Sequence, residues 1–269
     1  MAEKVVWVSG ASSGLGRAAA AALKASGWLV IAGARSFVGN EYETDSGTRL
    51  PLDVRDADSV RVFCEQAYSL AGAPDAVVNA AAVLTIGPAE ETAPEEFEAV
   101  MDTVLMGAIR FTQAALPMMR SKGGGKVVML SSVNGLYATP YQGPYTAAKH
   151  ALEGYSECLM LETRKQGIQV MLVEPGDHSG GAQKYRGKAE KVSPLYRESL
   201  GRVMAAMARD EAQGQSPERF GRRLALVLSR KRLPARLRVL TLKEQLSIVL
   251  HDVLPGRLFQ RIVTAYFKV

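Results

Sequence analysis

The sequence predicts an α/β protein, a doubly wound parallel sheet of about seven strands with helices on both faces, formed as one domain over residues 1–269. Three observations lead there. Short apolar runs at 5–8, 29–32, 76–78, 126–130 and 169–173 alternate with longer helical patterns. A glycine-rich turn joins the first run to the first helix. A tyrosine and a lysine four residues apart follow a run that ends in Ser131 and Ser132. Strands alternating with helices imply ligands at the carboxyl ends of the strands.

The first run is followed by Ser9-Gly10-Ala11-Ser12-Ser13-Gly14-Leu15-Gly16 and then a helix rich in alanine over 17–25. Strand, glycine turn and helix in this order set backbone N–H groups and a helix amino terminus where a pyrophosphate would bind; a Cβ would block the turn. A structural turn is the alternative. The second run ends at Gly33-Ala34-Arg35-Ser36 with no carboxylate. An acidic residue there would suit the ribose hydroxyl of NAD, whereas Arg35 suits the 2′-phosphate of NADP. NADP(H) is therefore favoured over NAD(H), with an ordinary exposed arginine as the other reading.

Residues 37–47 are short and polar, so the second crossover lacks a full helix. The stretch 48–52 leads to Asp53-Val54, and Asp56 caps a helix through Ala71. The run at 76–78 ends in Asn79-Ala80-Ala81-Ala82. A long helical pattern covers 94–119, with a kink or termination expected at Pro117. Gly123-Gly124-Gly125 turns the chain into the strand that delivers Ser132. A helix then carries Tyr145 and runs to about Gln166, and the next strand ends in Glu174-Pro175-Gly176.

Tyr145 and Lys149 lie one turn apart on one helix face. An ammonium beside a phenol favours the phenolate and draws its pKa down from about 10, which suits Tyr145 to general acid/base work. Ser132 at a strand end and Tyr145 on a helix turn can hold a substrate oxygen between two hydroxyls. Taken alone, the pair could equally be a surface pair on an ordinary helix.

In order and spacing, these motifs together resemble the short-chain dehydrogenase/reductase superfamily, over residues 4 to about 175. The resemblance rests on Ser9-Gly10-x-x-x-Gly14-x-Gly16, Asp53, Asn79-Ala80-Ala81-Ala82, Ser132, Tyr145-x-x-x-Lys149 and Pro175-Gly176. It implies a Rossmann fold and an oxidoreductase acting between ketone and alcohol. Tyr145 would be the proton donor or acceptor and Ser132 the partner of the substrate oxygen. Lys149 would tune the phenol and hold the nicotinamide ribose. Gly10, Ser12, Ser13, Gly14, Leu15 and Gly16 would cradle the pyrophosphate. Asp53 and Val54 would flank the adenine, Asn79 with Ala80 and Ala81 the adenosine ribose, and Pro175 and Gly176 would complete the cofactor site. Ser9 stands where the family usually has Thr, and Asn79-Ala80-Ala81-Ala82 keeps one residue of Asn-Asn-Ala-Gly. Val104 replaces an asparagine that anchors a water-linked proton relay. Either Thr103 or a rearranged water serves in its place, turnover is slow, or the chain is a non-catalytic nucleotide-binding relative.

Residues 177–219 show no strand pattern and read as a substrate lid, with a helix over 195–209 presenting Leu200, Val203, Met204 and Met207 on one face. That face lines a lipophilic pocket or packs on the core. His178 reads as a loop polar residue. A helix over 220–229 and a seventh strand over 237–241 follow. From 246 to 267, apolar clusters mix with Arg257, Arg261 and Lys268 as a basic amphipathic helix within a terminal extension over 242–269. This ending is loosely similar to the hydroxysteroid and retinol dehydrogenase branch, which implies a small lipophilic ketone or alcohol as substrate. An NAD(H)-dependent alcohol dehydrogenase is the rival.

The formal charge of +6 is uneven: residues 218–269 hold twelve Lys/Arg against three Asp/Glu. No aromatic–basic interleaving accompanies them, so no nucleic-acid partner is expected. A membrane surface, an acidic carrier or a solvated charged face remain. No apolar run approaches the 18 or so residues of a membrane span, and a strand pattern begins almost at the first residue, which leaves no room for a signal peptide. The two cysteines, Cys64 and Cys158, suggest no disulfide framework and a reducing compartment. A cytoplasmic protein is expected, peripheral at a membrane if the tail binds one. The resemblance adds a homo-oligomer, a dimer or tetramer paired through the long helices. No metal site is expected.

Overall fold

The computed structural model describes residues 3–37, 44–45, 47–179 and 186–269. Most of the expected polar connection at 37–47 and residues 180–185 of the expected lid lie outside the described residues. The first half of the chain forms β1 (Lys4–Ser9), α1 (Gly14–Ala25), β2 (Trp28–Ala34), β3 (Thr48–Pro51), α2 (Ala57–Ala71), β4 (Ala76–Asn79), β5 (Leu84–Ile86), α3 (Pro94–Met101), α4 (Gly107–Ser121) and β6 (Gly125–Leu130). The second half forms α5 (Gly143–Thr163), β7 (Ile168–Pro175), β8 (Arg186–Lys188), α6 (Pro194–Ala212), α7 (Pro217–Leu228), β9 (Arg236–Val239), α8 (Leu242–Val253) and α9 (Gly256–Phe267).

Seven strands make one parallel sheet in the order β3-β2-β1-β4-β6-β7-β9. The continuous apolar run of β1 is buried on both faces, which a parallel sheet covered by helices requires. Trp7 meets Phe63 of α2 edge-on at 6.2 Å between ring centroids, and Phe63 meets Phe111 of α4 at 5.5 Å, so aromatic edges key one layer. On the other face Val6 and Val8 pack with Leu23, Phe220 and Leu224 from α1 and α7. Those two helices touch closely because Gly221 has no side chain; a Cβ there would lie 2.3 Å from the Ala18 carbonyl oxygen. Strand order reverses at β1, whose neighbours are β2 and β4, and this opens a crevice at the carboxyl ends.

Four expectations about elements change. Pro117 does not end its helix: α4 continues to Ser121, because so near the end the proline removes a single ladder bond. The interruption comes earlier, as a π-helical turn over Asp102–Met106 between α3 and α4. The stretch after Asp177 does contain a strand, since β8 pairs in parallel with β5. Three residues of Arg-Gly-Lys are too short and polar to show a period. The last stretch forms two helices, not one. Leu254 is extended (ψ 148°) before Pro255, the conformation a following proline favours. Among the described residues no helix is long and apolar enough to cross a membrane.

Candidate active site

A cavity of about 1020 Å³ opens at the strands' carboxyl ends and continues beneath α6, α8 and α9. Its floor is the turn after β1. Gly10 has φ +69°, and a Cβ there would lie 2.6 Å from the Ala81 nitrogen. At Gly16 a Cβ would lie 2.3 Å from the Gly10 carbonyl oxygen. The turn closes this tightly only as glycine. Ser12, Ser13, Gly14 and Leu15 complete this wall. Ser13 precedes α1 without a side-chain cap, and the first turn carries no acidic residue, so the helix's leading N–H groups suit an anion. The residues fit a dinucleotide pyrophosphate.

Arg35, Asp53, Val54, Ala80 and Ala81 line the next part of the cavity, and Pro175 and Gly176 the part beyond. Arg55, which the sequence reading passed over, clamps Asp53: Nε donates to Oδ1 at 3.0 Å and Nη2 to Oδ2 at 2.6 Å. The clamp lowers the Asp53 pKa, and Arg35 adds to it through space. The signal was an arginine two residues after the aspartate. Asn79 departs from expectation. It does not line the cavity; its side chain is buried and its Nδ2 donates to Thr112 Oγ1 at 3.0 Å and to the Val128 carbonyl. At the end of β4 its side chain falls on the α4 side of the pleat, so it ties sheet to helix.

Ser132, Tyr145 and Lys149 all line the cavity. Ser132, at the end of β6, accepts from the Asn134 N–H at 3.2 Å through its Oγ and hydrogen-bonds the Tyr145 phenol. Lys149 is 3 % exposed, its Nζ donating to the Leu130 carbonyl and standing 5.4 Å over the Tyr145 ring. Burial lowers the lysine to about 7, against which the Glu153 carboxylate acts. The phenol runs against expectation: burial pushes Tyr145 up to about 12, and the Ser132 hydrogen bond opposes this only in part. Desolvation dominates, and the lysine Nζ is held by the Leu130 carbonyl and faces the ring.

Val104 is 1 % exposed and packs with Val100 and Ala148 against Tyr145. Thr103 lines the cavity, but its hydroxyl donates to the Ala99 carbonyl at 3.0 Å. Its proton is thus committed to the helix, and the relay position is filled by apolar packing. Glu153 was also passed over, although its spacing of four from Lys149 was readable.

Farther in, the cavity wall turns apolar, with Met207, Leu246, Leu250, Phe259, Val263 and Phe267. The helix face left open between pocket and core does both: Leu200 and Val203 pack with Ile86, whereas Met207 also reaches the cavity. A polar rim holds the Arg186–Glu211 ion pair and the Tyr266 hydroxyl, which donates to Asp210 at 2.6 Å. His178 lines the cavity as well, hydrogen-bonds the Gly176 carbonyl at 2.8 Å and lies edge-on to Phe220. Asp177 lines the cavity too; burial and the nearby Glu244 carboxylate push it up to about 6.

Known proteins place this geometry. The short chain dehydrogenase family matches residues 4–191. A 3-ketodihydrosphingosine reductase from Bacteroides thetaiotaomicron is 32 % identical over 271 residues, covering 100 % of both chains. The dehydrogenase/reductase SDR family member 7B of Danio rerio is 34 % identical over 187 residues, 65 % of this chain and 60 % of that one. Among solved structures, a short-chain dehydrogenase from Streptomyces avermitilis superposes with a TM-score of 0.81 at 30 % identity, over 99 % of this chain and 97 % of that one. An alcohol dehydrogenase from Thermococcus sibiricus, complexed with 5-hydroxy-NADP, shares the fold at 23 % identity and a TM-score of 0.70, over 88 % of this chain and 96 % of that one. With matches spanning its length and a glycine cradle that fits a nicotinamide dinucleotide, this chain belongs to the short-chain dehydrogenase family and is an oxidoreductase.

Proposed function

We propose that the protein is an NADP(H)-dependent reductase of long-chain ketones, with a substrate of the 3-ketodihydrosphingosine type. The observation that carries this reading is a single cavity in which Ser132, Tyr145 and Lys149 open onto the apolar wall of α6, α8 and α9. That wall suits an acyl-length chain, since burying each methylene contributes about 0.8 kcal/mol. The full-length similarity to a 3-ketodihydrosphingosine reductase supports it. Asp177 supports it further, as a cavity carboxylate available to an amine beside the ketone.

A reduced nicotinamide, when bound, would supply the hydride that the carbonyl carbon takes up. Tyr145 gives its phenolic proton to the carbonyl oxygen, and Ser132 donates a hydrogen bond to the same oxygen as it gains charge. Lys149 would hold the ribose hydroxyls of a bound nucleotide, and its ammonium would place positive charge near the phenol. The phenol keeps its proton across the working range, so the proton is present to be given, although burial makes the phenol a weaker acid than a free one. Arg35, at the end of a strand that lacks a carboxylate, receives the 2′-phosphate.

The test is NADPH consumption by the purified protein, with 3-ketodihydrosphingosine in mixed micelles against a chain-truncated ketone. Preference for the long chain by at least about tenfold in kcat/KM is expected. Equal turnover of both ketones, or of neither, would overturn the substrate reading.

A further inference from the structure

Two consecutive helices at the far end of the cavity expose apolar side chains in register. On α8, Leu242, Leu246, Val249 and Val253 are 84, 58, 54 and 69 % exposed. Their spacing of 4, 3 and 4 residues makes one stripe along the helix. On α9, Leu258 and Ile262 repeat the spacing at 43 and 40 % exposure, and Val269 extends it just past the helix end. Large side chains exposed in this order make an apolar stripe on each helix, where scattered exposure would call for no explanation.

On α9 the charge beside the stripe has one sign, while α8 carries the exposed carboxylate of Asp252 beside Val253. Arg257, Arg261 and Lys268 are all exposed, at the same spacing one residue earlier, and α9 contains no Asp or Glu. Stripe and cavity are also continuous. Leu246 and Ile262 belong to the stripe and line the cavity, where Leu250, Phe259 and Val263 carry the apolar wall inward. The two helices are fastened by the His251 and Phe259 rings, 5.1 Å apart.

We infer that α8 and α9 form a docking surface for an anionic lipid bilayer, with the stripe set into the acyl boundary and the arginines on the headgroups. Apolar area together with cations is the composition that binds helices in the plane of a membrane. In a second copy of this chain the carboxylate beside the stripe is that of Asp252, too little to match Arg257, Arg261 and Lys268, whereas an anionic headgroup layer complements all three. The use of the surface, to draw a long-chain ketone directly into the cavity, rests on the substrate proposed above; the binding itself does not.

The experiment uses the full chain and co-sedimentation with vesicles of phosphatidylcholine, with and without phosphatidylglycerol, read beside NADPH binding as a control for folding. Wild type is expected to sediment with the anionic vesicles, less with phosphatidylcholine alone, and to be released by salt. Arg257→Ala/Arg261→Ala should weaken anionic partition roughly 30-fold. Leu242→Glu/Val249→Glu/Val253→Glu, none of which touches the cavity, should abolish it with NADPH binding unchanged. Wild type that stays in the supernatant, or variants that sediment like wild type, would overturn the inference. So would a wild-type dimer by light scattering that the glutamate variant dissolves without any vesicle binding, since the stripe would then join two copies. Vesicle binding without turnover of the long-chain ketone supports the surface and overturns only the substrate reading.

Discussion

Glu153 stands one helical turn beyond Lys149 on α5, and its carboxylate favours the ammonium that burial would otherwise strip of its proton. Glu153 is itself 7 % exposed and is held by Arg236 Nη1 at 2.5 Å. With Lys149 lowered to about 7, its charged fraction falls as pH rises through that value. A step that needs the ammonium therefore loses rate along the same limb. Glu153→Gln keeps the volume and removes the charge, so Lys149 drops further and the limb moves to lower pH. The pH profile of kcat/KM for the two proteins decides it. An unmoved limb would mean that Glu153 contributes packing alone.

Tyr145→Phe removes the only proton that the proposed reduction takes from the protein, while leaving the ring that Lys149 faces. Turnover should fall by about 10²–10⁴ with NADPH binding retained. Ser132→Ala should cost less, roughly tenfold to a hundredfold, since it deletes one hydrogen bond to the substrate oxygen. Single-turnover rates with saturating NADPH separate these losses from binding. A phenylalanine variant that keeps wild-type turnover would move the acid elsewhere.

The elements with a strong local signal were legible before any coordinates. The strands built from continuous apolar runs, the helix capped by Asp56 and the glycine turn at Gly10 and Gly16 all stand where their chemistry put them. Asp56 does accept from the Asp58 N–H at 2.9 Å. What was not legible depends on distant partners. The pair of strands β5 and β8 exists because segments about a hundred residues apart meet. Asn79 was misjudged because its direction is set by Thr112 on another helix. The phenol of Tyr145 was misjudged because spacing reports the neighbour Lys149 and carries no measure of how dry the site is.

Arg236 holds three carboxylates, reaching Glu153, Glu157 and Glu174, and Arg238 adds a second bond to Glu174 at 2.8 Å. Glu174 is fully buried. Arg236→Met would leave Glu153 uncompensated and Glu174 half-compensated, at a cost of about 3 kcal/mol by urea unfolding. Burial already raises the Glu153 carboxyl. Without the arginine the Glu153 carboxyl would bind a proton more readily in the folded than in the unfolded chain. The variant's deficit should then shrink as pH falls, and be smaller near about pH 5 than near about pH 8. A deficit that grows on acidification would contradict this account.

The proposed nucleotide choice rests on two arginines with different duties. Arg55 is spent on Asp53, whose carboxylate it neutralises with bonds of 2.6 and 3.0 Å. Arg35 is exposed on the cavity wall and lowers the Asp53 pKa only through space. Under the proposed NADP(H) reading, Arg35 is the charge at the ribose end that would meet a 2′-phosphate. Arg35→Ala should weaken NADPH binding by roughly 10- to 100-fold, the worth of a charge-assisted hydrogen bond, and leave NADH binding unchanged. Arg35→Lys should recover only part of the loss, since a point charge replaces a planar fork. Fluorescence titration of the two nucleotides with all three proteins gives the answer. If wild type binds NADH as tightly as NADPH, the NADP(H) assignment fails, and an NAD(H)-dependent dehydrogenase running towards oxidation takes its place.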